Sequence, residues 1–164
     1  PYLFLTKQLL WATLGLGLLW VVMRLDYRAY RNPAFIWTCV GGVAIGLIAV
    51  LFSPPVNNAR RWFSIGGLGI QPSELAKLAA IFFTAALLER RMHRVNEIGY
   101  ALGPIGMVVA GFIGLIMLEP DFGTSVSLLV IVAMMVFAAG LDLRYLAAGA
   151  LAGVPVVAYL AISA

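Results

Sequence analysis

The fold class predicted by this sequence is all-α, a polytopic helical membrane protein, and three observations predict it. Of the 164 residues, 63% are hydrophobic and 11% charged, with a mean hydropathy of +1.00. An ordinary soluble domain carries roughly 25% charged residues, so this chain is too poor in charge to wet a globular surface. Apolar runs of about 20 residues recur, each long enough to cross a hydrocarbon core of ~30 Å at ~1.5 Å per residue. The runs do not alternate in polarity as the strands of a membrane β-barrel do.

Five or six membrane segments follow, in a single integral membrane domain over residues 1–164. The first covers 3–23 and ends at "MRLDYRAYRNP". The second, 34–52, stops at "FSPPVNN", where adjacent prolines break a helix. The third starts at Pro72, a residue suited to the first helical position, and runs to Leu88. The fourth, 98–118, ends at "EPD"; the fifth, 122–140, ends at "AGLDLR"; a sixth begins near Leu143. Gly42 with Gly46, Gly99 with Gly103 and Gly149 with Gly153 are spaced to let helices approach closely. The chain begins at Pro1 rather than Met and stops inside an apolar run, which reads as a fragment.

The net charge of +4 is no sign of nucleic-acid binding, because the arginines sit in short loops where they set orientation. Arg24, Arg28, Arg31, Arg90, Arg91, Arg94 and Arg144 fall on one side; Lys7, Arg60 and Arg61 fall on the other. The bias makes the first side cytoplasmic and places "ARRWFSIGGLGIQPSELAKL" and "EPDFGT" together on the outer side. Cys39 is the only cysteine and His93 the only histidine, so neither a disulfide framework nor a metal cluster of these residues is available. Cys39 is expected to pack and His93 to lie in a solvated loop.

The candidate functional residues gather on that outer side. In "QPSELAK", Gln71 falls at the N-cap and Glu74 at the third helical position, where a carboxylate can reach free backbone donors. Lys77, three residues on, shares its face. A capped helix start with a local ion pair accounts for these residues; so does a functional role, since Lys77 lies a turn into an apolar span, where a charge is costly. Arg60 and Arg61 precede Trp62 and "GGLG". They suit interfacial anchoring, or a clamp for phosphate or diphosphate. Asp121 can cap the fifth segment with Thr124 as partner. Glu119 reads as a solvated acid, or as one that with Asp121 binds a metal or balances the nearby cations.

At these residues the chain resembles the SEDS family (shape, elongation, division and sporulation), whose members include FtsW, RodA and SpoVE. "NARRW", a glycine-containing loop and "QPSELAKL" are similar to its most characteristic block. "EPDFGTS" is similar to a second block, usually written with Gln before the Pro-Asp, where this chain has Glu119. "FLTKQLLW" and "MRLDYR" extend the likeness over nearly the whole sequence.

The resemblance implies a fold of about ten transmembrane helices, of which this chain covers the second to the seventh. It implies a peptidoglycan glycosyltransferase that polymerises lipid II, an undecaprenyl-diphosphate-linked precursor, at the outer face of the bacterial cytoplasmic membrane. The implied partners are a class B penicillin-binding protein and other divisome or elongasome membrane proteins. The large outer loop holding the family's candidate catalytic aspartate lies beyond these residues. No catalytic residue is therefore expected here, and the fragment alone is expected to be inactive. Arg60, Arg61 and Lys77 become candidates for binding the diphosphate, with Glu74 and Asp121 orienting them or holding a divalent cation. Two other functions fit the same charges: a lipid II flippase, and a non-enzymatic scaffold that recruits the penicillin-binding protein.

Overall fold

The structure, a computed structural model, describes residues 2–24, 26–54, 60–65, 68–145, 147–149 and 151. It divides into two compact units, Pro1–Pro33 and Ala34–Ala164. The first unit holds helix α1, Tyr2–Arg24, and a 3-10 turn, Tyr27–Arg31. Side chains 5–24 of α1 are exposed, as befits a span that faces lipid. At its end the Arg24 guanidinium lies 4.8 Å from the Trp20 ring centroid, a pairing suited to headgroup depth. The Asp26 carboxylate then accepts the Arg28 N–H at 3.0 Å and helps start the turn.

The second unit contains α2 (Pro33–Val50, with Pro33 at the boundary), α3 (Pro72–Arg91), α4 (Gly103–Leu118) and α5 (Phe122–Ala138). Strands β1 (Phe63–Ile65) and β2 (Leu68–Ile70) form an antiparallel hairpin between α2 and α3. α2 ends in a turn where Ser53 donates both its N–H and its hydroxyl to the Val50 carbonyl, at 3.0 and 2.7 Å. Trp37 and Phe35 of α2 meet Phe83 and Phe82 of α3 edge-on, with ring centroids 5.6 and 5.8 Å apart. Gly46 of α2 faces the start of α3, where a Cβ would sit in ordinary van der Waals contact, 3.7 Å from that of Pro72.

The core sits between α3, α4 and α5, which pack on one another. α3 contributes Ala76, Ala79, Ala80 and Phe83, at the three- and four-residue spacing that lines one helix face. Against them stand Ile105, Val109, Phe112 and Ile116 of α4, and Leu128, Val132 and Val136 of α5. Three consecutive small positions on α3 permit close approach where lipid offers no hydrophobic driving force and van der Waals packing must supply the association.

The five described helices match the expected segments within a few residues. The third runs on to Arg91, and the fourth opens with a π-helical turn, Ile98–Leu102, before α4. α5 stops where Gly140 adopts φ +99°, with Leu141 N–H donating to the Val136 carbonyl and Gly140 N–H to that of Phe137. That is a Schellman termination, and it needs a residue free of a Cβ penalty. Residues 143–145, 147–149 and 151 are helical, and the remainder of the sixth segment lies outside the described residues, as does Gly153. The hairpin is an addition to the all-helical expectation. Gly69 belongs to it by close approach: a Cβ there would come within 3.0 Å of the Trp62 ring.

By length and composition Leu5–Arg24, Pro33–Val50 and Gly99–Leu118 can each cross a membrane, while Phe122–Ala138 is apolar but shorter. α3 has the length, yet it carries Glu74, Lys77, Glu89, Arg90 and Arg91. The chain is a multi-pass membrane protein, and α3 is its most polar helix.

Candidate functional site

The site is built from four pieces that meet where α3 begins and α4 turns into α5. Gln71 is the N-cap of α3 in extended conformation, φ −106° and ψ 111°, and Pro72 follows inside the first turn. Its side chain does not cap its own helix. Instead the amide Nε2 donates to Asp121 Oδ2 at 2.8 Å, across 50 residues of sequence. An ionised carboxylate only accepts, so the amide nitrogen is the atom that must face it.

Asp121 is the N-cap of α5, as its place before the fifth apolar run predicts. Oδ1 accepts the Thr124 N–H at 3.1 Å and Oδ2 the Thr124 hydroxyl at 2.8 Å. Its backbone carbonyl accepts Ser125 Oγ at 3.0 Å. With Gln71 the carboxylate has three donors, and Asp121 is only 9% exposed. The positive end of α5 and these donors together stabilise its charge.

Arg61 closes the other side. Its Nε donates to the Glu119 carbonyl at 2.8 Å and its Nη2 to the Pro120 carbonyl at 2.6 Å. These carbonyls belong to the turn after α4, where the helix leaves acceptors unpaired. The guanidinium fork thus straps the segment before β1 to the α4–α5 turn, with Nη1 taking no part in either bond.

Glu119 lies at the centre of this arrangement and is 1% exposed. Neither carboxyl oxygen has a hydrogen-bond partner. Of the two readings of Glu119, that of a solvated loop acid is therefore corrected: the carboxyl is shut away from water in the turn that Arg61 binds through its backbone carbonyls. Burial above all, then the neighbouring Asp121 charge, push its pKa up to about 7 against the opposing pull of Arg61.

The remaining candidates stand apart from this cluster. Lys77 Nζ contacts both Glu74 oxygens at 2.8 Å, the ion pair expected from their spacing. Glu74 makes no cap, since its carboxylate is committed to Lys77. The pair lies away from the buried face of α3, the Lys77 side chain 22% exposed and that of Glu74 55%. Arg60 is exposed and donates from Nη1 to the Leu51 carbonyl at 3.0 Å. The structure so brings Arg61 and Asp121 to one cluster, and keeps Glu74 with Lys77 as a second, outward-facing group.

Among the described residues no group of three or more His, Cys, Asp or Glu is arranged to hold a metal. The Asp121 carboxylate accepts three hydrogen bonds, and Glu74 pairs with Lys77. Sequence reasoning gave Gln71 only a cap position, and left Glu119 open between a solvated acid and one that works with Asp121. Gln71 is a poor cap by residue type, and that mismatch was the available signal; nothing local marks Glu119 as buried.

At the opposite end of the bundle His93, Arg94 and Glu97 are exposed, and Arg91 is half-buried. Arg91 and Arg94 stack on the Tyr100 ring at 4.6 and 5.4 Å, His93 meets it edge-on, and Arg94 pairs with Glu97 at 3.2 Å. Asn96 Oδ1 accepts the Asp142 N–H at 3.0 Å. Cys39 packs against the core, as expected.

Residues 1–164 match the sequence profile of the FtsW/RodA/SpoVE family, described as cell cycle protein. One relative, the Probable peptidoglycan glycosyltransferase FtsW of Legionella pneumophila, is 34% identical over 165 residues, which is 99% of this chain and 42% of the relative. The crystal structure of the rod shape determining protein RodA of Thermus thermophilus superposes with a TM-score of 0.69 at 34% identity, covering 91% of this chain and 48% of that one. A solved structure describing the structural coordination of polymerization and crosslinking by a peptidoglycan synthase complex matches with a TM-score of 0.70 at 31% identity, covering 86% of this chain and 41% of that one. The chain spans less than half the length of the curated relatives it matches.

Proposed function

This chain belongs to the FtsW/RodA/SpoVE family of cell cycle proteins, and from that premise we propose that the full-length protein is a peptidoglycan glycosyltransferase of the bacterial cytoplasmic membrane. It polymerises lipid II at the outer face, beside a class B penicillin-binding protein and other division or elongation proteins. The partner class rests on the similar chain in a synthase complex that coordinates polymerization and crosslinking.

The observation that carries the reading is the convergence of both sequence blocks at one end of the α3–α4–α5 bundle, through Gln71 with Asp121 and Arg61 with the Glu119–Pro120 backbone. Glycosyl transfer from a diphosphate needs a base for the attacking hydroxyl and cations for the leaving group. Arg60, Lys77 and the remaining donor of Arg61 supply positive charge at this end. Asp121 contributes a fixed negative charge that orients the substrate, and Glu74 holds Lys77 in place. No step is assigned to a metal. The Glu74 side chain is 55% exposed and that of Lys77 22%, so the pair contributes little to stability and is accessible to a substrate.

The test is reconstitution of the full-length protein with purified lipid II, reading polymer and transbilayer movement separately. Polymer is expected. Movement without polymer would make the protein a flippase, and neither would leave a recruiting scaffold. The double variant Glu74→Gln with Lys77→Met then probes the site: it should accumulate in the membrane yet fail to polymerise. An active double variant would return the pair to a structural role.

A further inference from the structure

Gln71 occupies a cap position without capping. Its side chain is too long to reach back to the first free donors of α3, and Pro72 has already removed one of them. The Glu74 N–H bonds the Gln71 backbone carbonyl at 3.2 Å, which leaves the amide free to act elsewhere. It acts on Asp121.

Two of the three donors on the Asp121 carboxylate come from Thr124, within its own turn, and they suffice for capping. The third comes from a different helix. Oδ2 receives two donors, Gln71 Nε2 and Thr124 Oγ1, while Oδ1 receives one. A carboxylate oxygen accepts about two hydrogen bonds, so Oδ2 is filled and Oδ1 retains capacity. The platform under Gln71 is rigid: Pro72 and Ser73 are buried, and Pro72 abuts Gly46 of α2.

We infer that Gln71 is a positioning residue: from the start of α3 its amide fixes the Asp121 carboxylate so that Oδ1, with spare acceptor capacity, is the oxygen presented to the substrate. This rests on the reading of Asp121 as a substrate-orienting charge. Gln71 itself touches no substrate. Its role is the angle of a neighbouring charge, and small errors in such angles cost rate rather than fold.

The experiment uses the full-length protein in vesicles with lipid II, and compares each variant with the native protein at the same pH. Gln71→Glu keeps the shape but offers no donor when ionised, and it sets one carboxylate against another. On acidification its carboxyl regains a proton and donates to Oδ2 as the amide does. The ratio of variant to native kcat/KM should therefore be down about tenfold at neutral pH and climb as pH falls below about 6. Gln71→Leu should be reduced by a similar factor with a pH-independent ratio. A flat ratio for Gln71→Glu, or native rates in Gln71→Leu, overturns the inference.

Folding is separated by the swap Gln71→Glu with Asp121→Asn, in which the Asn amide donates to the new carboxylate. The swap should accumulate in the membrane better than Gln71→Glu alone, and remain inactive. An active swap would show that the Asp121 charge is dispensable and would sink both the positioning role and the reading beneath it. If Asp121→Asn is inactive while Gln71→Glu is flat with pH, only the positioning role fails.

Discussion

Where α3 begins, Glu119 and Asp121 are buried, and the Asp121 carboxylate and the Glu119 and Pro120 backbone carbonyls are held by partners 50 to 59 residues away in sequence. Where α3 ends, the groups with printed side-chain contacts, Arg91, His93 and Arg94, gather round Tyr100 and Glu97 within ten residues, and His93, Arg94 and Glu97 are exposed. The first end is a tertiary construction, the second a local one. Exposed pairs gain little because water already solvates both members, whereas a buried polar group that loses its partner bears the full desolvation penalty. Substitution should therefore reveal an asymmetry between the two ends.

Asp121→Ala carries the largest expected effect. It removes the α5 cap and strands Gln71 Nε2 and the Thr124 N–H, for a combined loss of about 4 kcal/mol. Thermal denaturation of the detergent-solubilised full-length protein should show a large drop in Tm. Asp121→Asn, which caps about as well, should lose much less stability while losing polymerisation. Full activity in the Asn variant would leave Asp121 purely structural.

Glu119 comes next, and its effect has a sign. Its folded-state pKa is raised from 4.5 to about 7, so the folded form holds the proton more tightly than the unfolded form. Glu119 then carries no penalty at pH below about 4.5, where both forms are protonated, and its contribution lowers stability as pH rises towards and past about 7, by on the order of 3 kcal/mol. Glu119→Gln, a neutral group of the same shape, should raise Tm at about pH 8 and flatten its pH dependence. An unchanged pH profile would mean that Glu119 is not shut away from water.

Arg61→Met should cost about 2 kcal/mol by leaving the Glu119 and Pro120 carbonyls without their donor. Limited proteolysis between α2 and α3 should quicken. At the other end of the bundle Arg94→Ala should shift stability by no more than about 0.5 kcal/mol, since its Glu97 partner is exposed. A larger loss there than at Arg61 would break the comparison outright. The orientation of the two ends is sharpened by labelling. A cysteine at Asn57, which lies outside the described residues, should react with an impermeant thiol reagent in intact cells, and one at His93 should not.

What could be read from sequence was whatever depends on neighbours. Five helices followed from apolar runs of spanning length. The Asp121 cap followed from an acid three residues before Thr124, and the Glu74–Lys77 pair from its spacing on one helical turn. In each case backbone geometry alone brings the partners together. Even the placing of both blocks at one end was legible, because the spans must alternate direction across a bilayer. The hairpin was not, since its short strands carry too few residues to show a period.

The tertiary structure decided which of those residues touch. Arg61 reads from sequence as a free cation, yet it is committed to two carbonyls that only the docking of the α4–α5 turn brings within reach. Gln71 reads as an indifferent cap and becomes a donor that crosses from the start of α3 to the start of α5. Glu119 reads as a solvated acid or one that balances nearby cations, and only the packed structure shows it buried, in the turn whose carbonyls Arg61 binds. None of these could be inferred from spacing, because each contact joins residues 50 or more positions apart and exists only after α3 has packed its alanine face against α4 and α5.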